Sequence, residues 1–276
     1  MQAVRITTGP NDTYRMAPLA LPTEQRKGVV SAEGYRRQAS GAIPRANFNP
    51  NRADSIRAIV LSDGKFSGLA SDAGTLLTFV ISGHMTLSSG VSKPSGSAPL
   101  CRLDPGDILL TEGESSSVPV DVRDQCRLVQ IGVPAEWPGP GAEVQRPGTL
   151  IARPSGRGPK LKRIYKGADD KAYFGDFSQL FPEQPNRWGT AHALKGFRML
   201  SWEDGSMDWH PCVTNQLAIA LSGEMEMEVG GGGGAVETFH AGDICLAEDR
   251  TGEGHIGRFR GVVNVVIMVL ETENLW

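Results

Sequence analysis

Residues 217–229 read LAIALSGEMEMEV, and no other stretch of the chain says more about its architecture. An apolar run is followed by Ser222 and Gly223, and then apolar and acidic residues alternate strictly. Alternation with a period of two is typical of a β-strand with one buried and one solvated face, and a glycine beside a serine favours a tight turn. Together with the preceding DWHPCVTNQ, the stretch predicts two consecutive strands.

Three phrases of the chain occur twice, in the same order. VRITTGPND (4–12) is echoed by KRIYKGADD (162–170), FVISGHMTL (79–87) by IALSGEMEM (219–227), and LDPGDILLTEG (103–113) by FHAGDICLAED (239–249). Repetition of this kind indicates a duplicated domain. Residues 134–160 hold six prolines and five glycines, a composition typical of a linker. We therefore predict an N-terminal domain over 1–133, a linker over 134–160 and a C-terminal domain over 161–276.

Composition and charge exclude several classes of protein. The chain has 276 residues, a formal charge of −3 and a pI near 6.0, which gives no electrostatic case for a nucleic-acid partner. The N-terminal residues lack the layout of a signal peptide, and the longest apolar run, 262–270, is too short to span a bilayer. The four cysteines are most simply free thiols in a reducing compartment. We expect a soluble, cytoplasmic protein that contacts no membrane.

Strand patterns dominate the chain, and no stretch predicts a long amphipathic helix. The repeated unit consists of a strand, Ser-Gly, a second strand, a polar hairpin, and Gly-Asp followed by an apolar strand. LSGEMEMEV with FHAGDICLAE, and ISGHMTLSS with LDPGDILLTE, resemble the cupin family over residues 50–133 and 195–271. RIYKGADD, WHP and GDICLAEDRTGEGH are similar to a sparsely characterised group of small cupins. The resemblance implies a bicupin: an all-β chain with two tandem antiparallel jelly-roll β-barrels.

The resemblance also implies a site in the C-terminal copy. Metal-binding cupins carry His-x-His and a Glu in their first motif and another His in the second, so that three imidazoles and a carboxylate hold a divalent ion. Counting back from Gly223 puts Gln216 at the Glu position, with His210 and Cys212 at the two histidine positions, and His255 is the candidate in the second motif. Two of the four ligands are replaced, so the resemblance implies either one divalent ion or none.

A metal-free site would need a group that transfers protons near neutral pH, which histidine supplies. His210 and His255 are the candidate pair, and Gln216 and Glu248 are expected to orient them. By alternation from Leu246, we expect Glu248 to face the interior and its neighbour Asp249 to be a solvated rim charge. The candidate substrate-binding residues are Trp209, Cys212 and Tyr173.

The N-terminal copy offers no matching ligands. The repeat puts Ala70, Asp72 and Leu76 near the positions of the first motif and Pro119 opposite His255. No set of metal ligands converges at these four positions. We therefore expect this copy to be structural or dimerising.

Three functions stay open at this point. The first is an enzyme for a small organic substrate with acid–base chemistry of the isomerase, epimerase or cyclase type. The second is a dioxygenase that uses iron, manganese, zinc or copper on His210, Gln216 and His255. The third is a non-catalytic module that binds or senses a small molecule. In each case the cupin resemblance implies a homodimer.

Overall fold

The computed structural model describes residues 1–8, 14–26, 51–67, 69, 74–88, 99–112, 118–138, 142, 148–149 and 151–271. Contacts between residues divide the chain into two compact units. Unit 1 comprises Met1–Pro22, Ala53–Pro147 and Gln179–His192, and unit 2 comprises Thr23–Arg52, Gly148–Ser178 and Ala193–Trp276. The division of the sequence at 134–160 stays a prediction. Ala70 and Asp72 lie outside the described residues.

The protein is all-β, as the sequence patterns predict. In the described residues the one helical element is a short 3-10 turn, Gly231–Gly233. No helix in these ranges has the length and hydropathy that crossing a bilayer requires. The strands, in chain order, are β1 Ala3–Thr8, β2 Tyr14–Pro18, β3 Thr23–Arg26, β4 Ser55–Leu61, β5 Gly64–Ser67, β6 Thr75–Ser88, β7 Pro99–Leu103, β8 Ile108–Thr111, β9 Pro119–Val133, β10 Leu161–Lys166, β11 Ala172–Asp176, β12 His192–Trp202, β13 Gly205–His210, β14 Gln216–Val229, β15 Val236–Phe239, β16 Ile244–Ala247 and β17 His255–Leu270.

The two units share one strand topology, to which unit 2 adds β3 at one edge. In unit 1 the order is β2-β1-β8-β6-β9-β4, and the far ends of the long strands β6 and β9 also pair with β7 and β5. In unit 2 the order is β11-β10-β16-β14-β17-β12-β3, and β14 and β17 pair at their far ends with β15 and β13. The repeated phrases of the sequence thus correspond to repeated strands.

The sheets are mixed, which corrects the expectation of purely antiparallel pairing. β1 runs parallel to β8, β10 to β16 and β3 to β12. A parallel pair needs a long connection between its strands, and the chain from β1 to β8 and from β10 to β16 supplies one. Within each unit, the pairing of the described strands does not return from the last strand to the first to close a ring.

Ser222 and Gly223 lie inside one long strand. This corrects the expectation that the Ser-Gly pair is a turn between two strands. β14 runs without a break from Gln216 to Val229, with shifts of register on both sides of Ser222. Gly223 has a φ of +71°, and a Cβ atom there would lie 2.9 Å from the carbonyl oxygen of Val262. The repeated Gly83 has a φ of +70° and would meet the backbone of Gln125. Each Ser-Gly is therefore a bulge that bends its strand.

The aspartate of each Gly-Asp motif forms hydrogen bonds that connect two segments of its unit at the start of a strand. Asp243 accepts hydrogen bonds from the backbone N–H of Lys160 (2.7 Å) and of His240 (2.8 Å). Asp107 accepts the equivalent bonds from Gln2 (2.5 Å) and Asp104 (2.9 Å). In both units this carboxylate holds the residue before the first strand against the start of the strand parallel to it.

The burial of β14 explains its sequence pattern. Its first half, LAIALS, lies between β16 and β17 and is buried on both faces, whereas its second half buries Met225 and Val229 and leaves the glutamates partly exposed. Glu226 and Glu228 both pair with Arg258 on the neighbouring β17. The core of unit 2 forms around Ala220, Met225 and Val265, with the rings of Trp202 and Phe259 stacked on each other at 4.4 Å.

Candidate functional site

His210 and His255 lie side by side in unit 2. His210 is the last residue of β13 and His255 is the first of β17, and the two are paired across the strands. Their ring centroids are 4.5 Å apart at an angle of 54°, and each residue is 4 % exposed. The structure therefore brings together the two histidines that the sequence pattern singles out.

Local backbone features explain why the two strands meet at this point. The residue after His210 is Pro211, which has no N–H for a further ladder bond, so β13 ends there. Gly254 precedes His255 with a φ of +80°, and a Cβ atom at this position would overlap the carbonyl group of His210. Only a glycine allows the two backbones to approach this closely.

Hydrogen bonds set the orientation of both rings. Nδ1 of His210 is 2.7 Å from the backbone oxygen of Asp208. Since a carbonyl only accepts, the proton lies on Nδ1, and the lone pair of the neutral ring lies on Nε2. Burial, and secondarily the charge of His255, lower the pKa of His210 to about 4. His210 is therefore neutral at neutral pH.

Asp249 is the carboxylate that contacts the pair. It is 0 % exposed, and its Oδ2 lies 2.7 Å from Nδ1 of His255. Its other oxygen, Oδ1, is buried without a hydrogen-bond partner in the described structure. The expectation of a solvated rim charge is wrong, because Asp249 lies on the same side as Cys245, which packs in the core of unit 2. The backbone N–H of Cys212 also donates to the carbonyl of Asp249 (3.2 Å).

In the described structure the carboxylate of Glu248 forms an ion pair with Arg163 on β10 and not with a histidine. The expectation took the face of Leu246 as the interior, but it is Cys245 that packs in the core of unit 2, so Glu248 lies with Leu246 on the other face, beside Arg163. The repeat contains the same pair in unit 1, where Arg5 lies 3.2 Å from Glu112. An ion pair present in both units belongs to the shared scaffold.

Cys212 and Gln216 lie beside the histidines and contact each other. Nε2 of Gln216 donates to Sγ of Cys212 at 3.3 Å, and Cys212 is 2 % exposed. Burial, and then the charge of Asp249, raise the pKa of the Cys212 thiol well above its ordinary value. The thiol is therefore protonated and is not a ready nucleophile or thiolate ligand.

The two aromatic candidates have contacts of their own. The hydroxyl of Tyr173 donates to Oδ2 of Asp169 at 2.8 Å, and its ring stacks on Tyr165 with centroids 6.1 Å apart. These contacts belong to the hairpin of β10 and β11. Trp209 is partly buried, and its backbone N–H donates to Oδ1 of Asp208 at 2.9 Å. Their role as substrate-binding residues stays a prediction.

The donor set fits a metal ion only in part. One ligand atom each from Cys212, Asp249 and His255 lies within 4.8 Å of the other two, close enough to surround one cation. However, the thiol is protonated, one oxygen of Asp249 is engaged by His255, and Gln216 offers a neutral amide at the position of a carboxylate. The same groups fit a hydrogen-bonded proton-transfer pair without rearrangement.

Unit 1 has neither histidine at the corresponding positions. Leu76 occupies the strand position that matches Gln216, and Pro119 opens β9 opposite Ser67. A cavity of about 400 Å³ does open among residues of unit 1. It is lined by Arg5, Pro18, Leu19, Ala20, Glu136, Pro138 and Ala142.

The residue that sequence reasoning missed is Asp249. The signal was present in the repeat: LDPGDILLTEG ends in Gly113, whereas FHAGDICLAED ends in Asp249. Glycine cannot supply a carboxylate, so this difference marks a group that one copy has and the other lacks. Asp208, whose carbonyl oxygen orients His210, could not have been found in this way, because every residue has a carbonyl.

No family model and no curated protein matches the sequence. Solved structures similar to the chain include a cupin 2 conserved barrel domain protein from Leptotrichia buccalis (TM-score 0.38, 13 % identity, 80 % of this chain and 86 % of the other). They also include a protein of unknown function of the DUF861 family from Pseudomonas syringae pv. tomato (0.34, 15 %, 98 % and 100 %) and the oxalate decarboxylase of Bacillus subtilis with Mn(II) centres (0.28, 15 %, 80 % and 70 %). At these scores no residue role transfers, and the site rests on the contacts of this chain.

Proposed function

We propose that the chain is a cupin-like protein with two related units and that unit 2 is an enzyme for a small organic substrate. Its reaction is an acid–base one, of the isomerase, epimerase or cyclase type. The observation that carries the proposal is the chain of contacts from Asp249 to His255 to His210. A buried carboxylate, an oriented imidazole and a second imidazole of lowered pKa are the components that proton transfer requires.

In this reaction each residue has a role that follows from its environment. His255 accepts or returns a proton at Nε2, and the carboxylate of Asp249 stabilises the imidazolium that forms, as in other carboxylate–histidine pairs. His210 stays neutral because its pKa is lowered to about 4, so it hydrogen-bonds to the substrate without adding a second positive charge. Gln216 and Cys212 hold one wall of the site through their mutual contact.

Exchange of hydrogen with solvent tests this chemistry without knowledge of the substrate. The protein is incubated with a small-molecule extract in D₂O, and mass spectrometry detects compounds that gain deuterium at carbon. We expect at least one such compound with the wild-type protein and none with His255→Gln. Asp176→Asn, at an exposed residue of unit 2, is the matched control and should behave as the wild type. Equal labelling by wild type and His255→Gln would refute the proposal.

The second candidate is a metal-dependent dioxygenase. It is favoured by the close approach of Cys212, Asp249 and His255. In the arrangement that the cupin resemblance implies, iron, manganese, zinc or copper would be held by His210, Gln216 and His255, with Cys212 as a further ligand. Elemental analysis of protein purified without chelators separates the two candidates. One ion per chain that is lost in His210→Ala supports the oxygenase, and less than a tenth of an equivalent supports the acid–base enzyme. A compound that binds to unit 2 and is neither labelled nor converted would support a binding module.

A further inference from the structure

Unit 1 contains a polar row across three neighbouring strands. Arg57 of β4 is paired with Gln130 of β9, and Gln130 is paired with Thr78 of β6. Gln130 and Thr78 are 1 % and 0 % exposed. Nε2 of Gln130 donates to Oγ1 of Thr78 (3.1 Å) and to the carbonyl of Leu69 (3.0 Å). These bonds fix the amide so that its oxygen points toward Arg57.

The guanidinium of Arg57 is held on one edge and covered on one face. Its Nε and Nη2 atoms donate to Oε1 of Gln130 at 3.0 and 2.6 Å. The ring of Trp188 lies 4.0 Å from Cζ, a cation–π contact. A guanidinium has five N–H groups, and Gln130 takes two of them. Gln130 occupies the edge formed by Nε and Nη2. The outer edge, formed by Nη1 and Nη2, is the second edge at which a guanidinium can bind a carboxylate through two parallel hydrogen bonds.

Arg57 also has no carboxylate partner among the described residues. Other arginines of the protein have one: Arg5 pairs with Glu112, Arg163 with Glu248, and Arg260 with Glu224. Burial lowers the pKa of Arg57, as expected for a cation that leaves water without meeting an anion. A positive charge held rigidly by a buried amide is costly unless something compensates it.

We propose that unit 1 binds a small organic carboxylate at the outer edge of Arg57. The fixed fork supplies two charge-assisted hydrogen bonds, and Trp188 provides a flat apolar surface beside them. Thr78 is two residues along β6 from Leu76, the position that matches Gln216 of unit 2. This proposal does not depend on the chemistry proposed for unit 2. It gives a binding role to the half of the chain whose sequence predicts none.

Titration calorimetry with benzoate tests the proposal on the full chain. Benzamide has the same shape without the charge and is the matched control ligand. Saturable binding of benzoate is expected, with at least tenfold weaker binding of benzamide, because charge-assisted bidentate pairs are among the strong hydrogen bonds. Arg57→Gln should weaken benzoate binding at least tenfold. Arg57→Lys keeps the charge but lacks the planar fork and should weaken it several-fold.

Two variants locate the effect. Arg127→Gln changes another arginine of unit 1 that lies over an aromatic ring, that of Phe181, and His255→Gln changes the site of unit 2. Both should bind benzoate as the wild type does. If Arg57→Gln does not fold, Arg57→Lys carries the test. Absence of saturable binding, equal binding of benzamide, or unchanged affinity in both Arg57 variants would overturn the proposal.

Discussion

At the scale of single residues, Asp249 has the most unusual environment of the candidate site. It is fully buried, one of its oxygens contacts His255 and the other has no partner in the described structure. Burial of a carboxylate that lacks a full set of hydrogen bonds lowers the stability of the folded protein. Such groups are found most often at functional sites. Removal of this carboxylate by mutation would leave the Nδ1–H group of His255 without its hydrogen-bond acceptor.

The first prediction follows from this environment. Asp249→Ala should lower the free energy of unfolding by about 2–4 kcal/mol, because a buried imidazole N–H loses its charged acceptor. Urea unfolding followed by tryptophan fluorescence measures the loss. Asp176→Ala removes a carboxylate that is 90 % exposed and should cost less than about 1 kcal/mol. Equal losses in the two variants would show that the contact with His255 contributes nothing.

The second prediction concerns pH and His210. Its pKa is 6.5 in the unfolded chain and about 4 in the folded protein. Between these values the unfolded chain binds a proton that the folded protein does not, so the stability is complete above pH 6.5 and falls as the pH drops toward 4. The slope contributed by His210 approaches ~1.4 kcal/mol per pH unit.

Urea unfolding at pH 7.0, 6.0 and 5.0 tests the slope. His255, Asp249 and Asp208 also act on His210, so the comparison with His210→Gln isolates its own contribution. The wild type should lose stability more steeply than the variant over this range. Parallel curves would contradict the lowered pKa of His210.

At the scale of elements, the bulges inside β6 and β14 bend the two longest strand pairs. Gly83 and Gly223 have nearly the same φ, and each faces the backbone of the neighbouring strand. The bend lets β14 pair with β16 at one end and with β15 at the other. The glycine is thus required by conformation and by space together.

The third prediction separates these two requirements. Gly223→Ala should cost more than about 2 kcal/mol, because a Cβ atom would meet the backbone of Val262 and Val263 at a positive φ. Gly232 has a φ of +69° with open space around it, so Gly232→Ala carries only the conformational cost of about 1 kcal/mol. Chemical denaturation of both variants gives the difference. Equal costs would mean that the approach of the strands does not constrain the residue.

At the scale of the whole molecule, the two units repeat one topology with different side chains. The scaffold contacts recur: the arginine–glutamate pair, the Gly-Asp carboxylate and the Ser-Gly bulge are present in both. The polar groups do not recur, since unit 2 has a histidine pair and unit 1 has Arg57. One topology can therefore carry a different polar group, and a different ligand, in each unit.

The fourth prediction is the assembly that we propose from the cupin resemblance. The chain should be a homodimer, so light scattering coupled to gel filtration should give about twice the chain mass of 29.6 kDa. The association should survive in His255→Gln, because His255 is buried within unit 2. A mass of one chain at micromolar concentration would refute it.

The sequence alone determined the all-β class, the recurrence of short segments and the identity of the histidine pair. These are local or periodic properties: alternation in LAIALSGEMEMEV, recurrence of short phrases, and the spacing of His210 from Gly223 along the chain. Strand periodicity and turn chemistry depend on neighbours in the sequence, so they can be recognised without coordinates.

Only the tertiary structure decided which carboxylate serves the site and which strands run parallel. Glu248 and Asp249 are adjacent in the sequence, and because they lie on opposite faces, one contacts Arg163 and the other His255. Likewise, the row of Arg57, Gln130 and Thr78 joins residues that are 21 to 73 positions apart. Contacts of this kind depend on register between distant strands, and register is a property of the folded sheet.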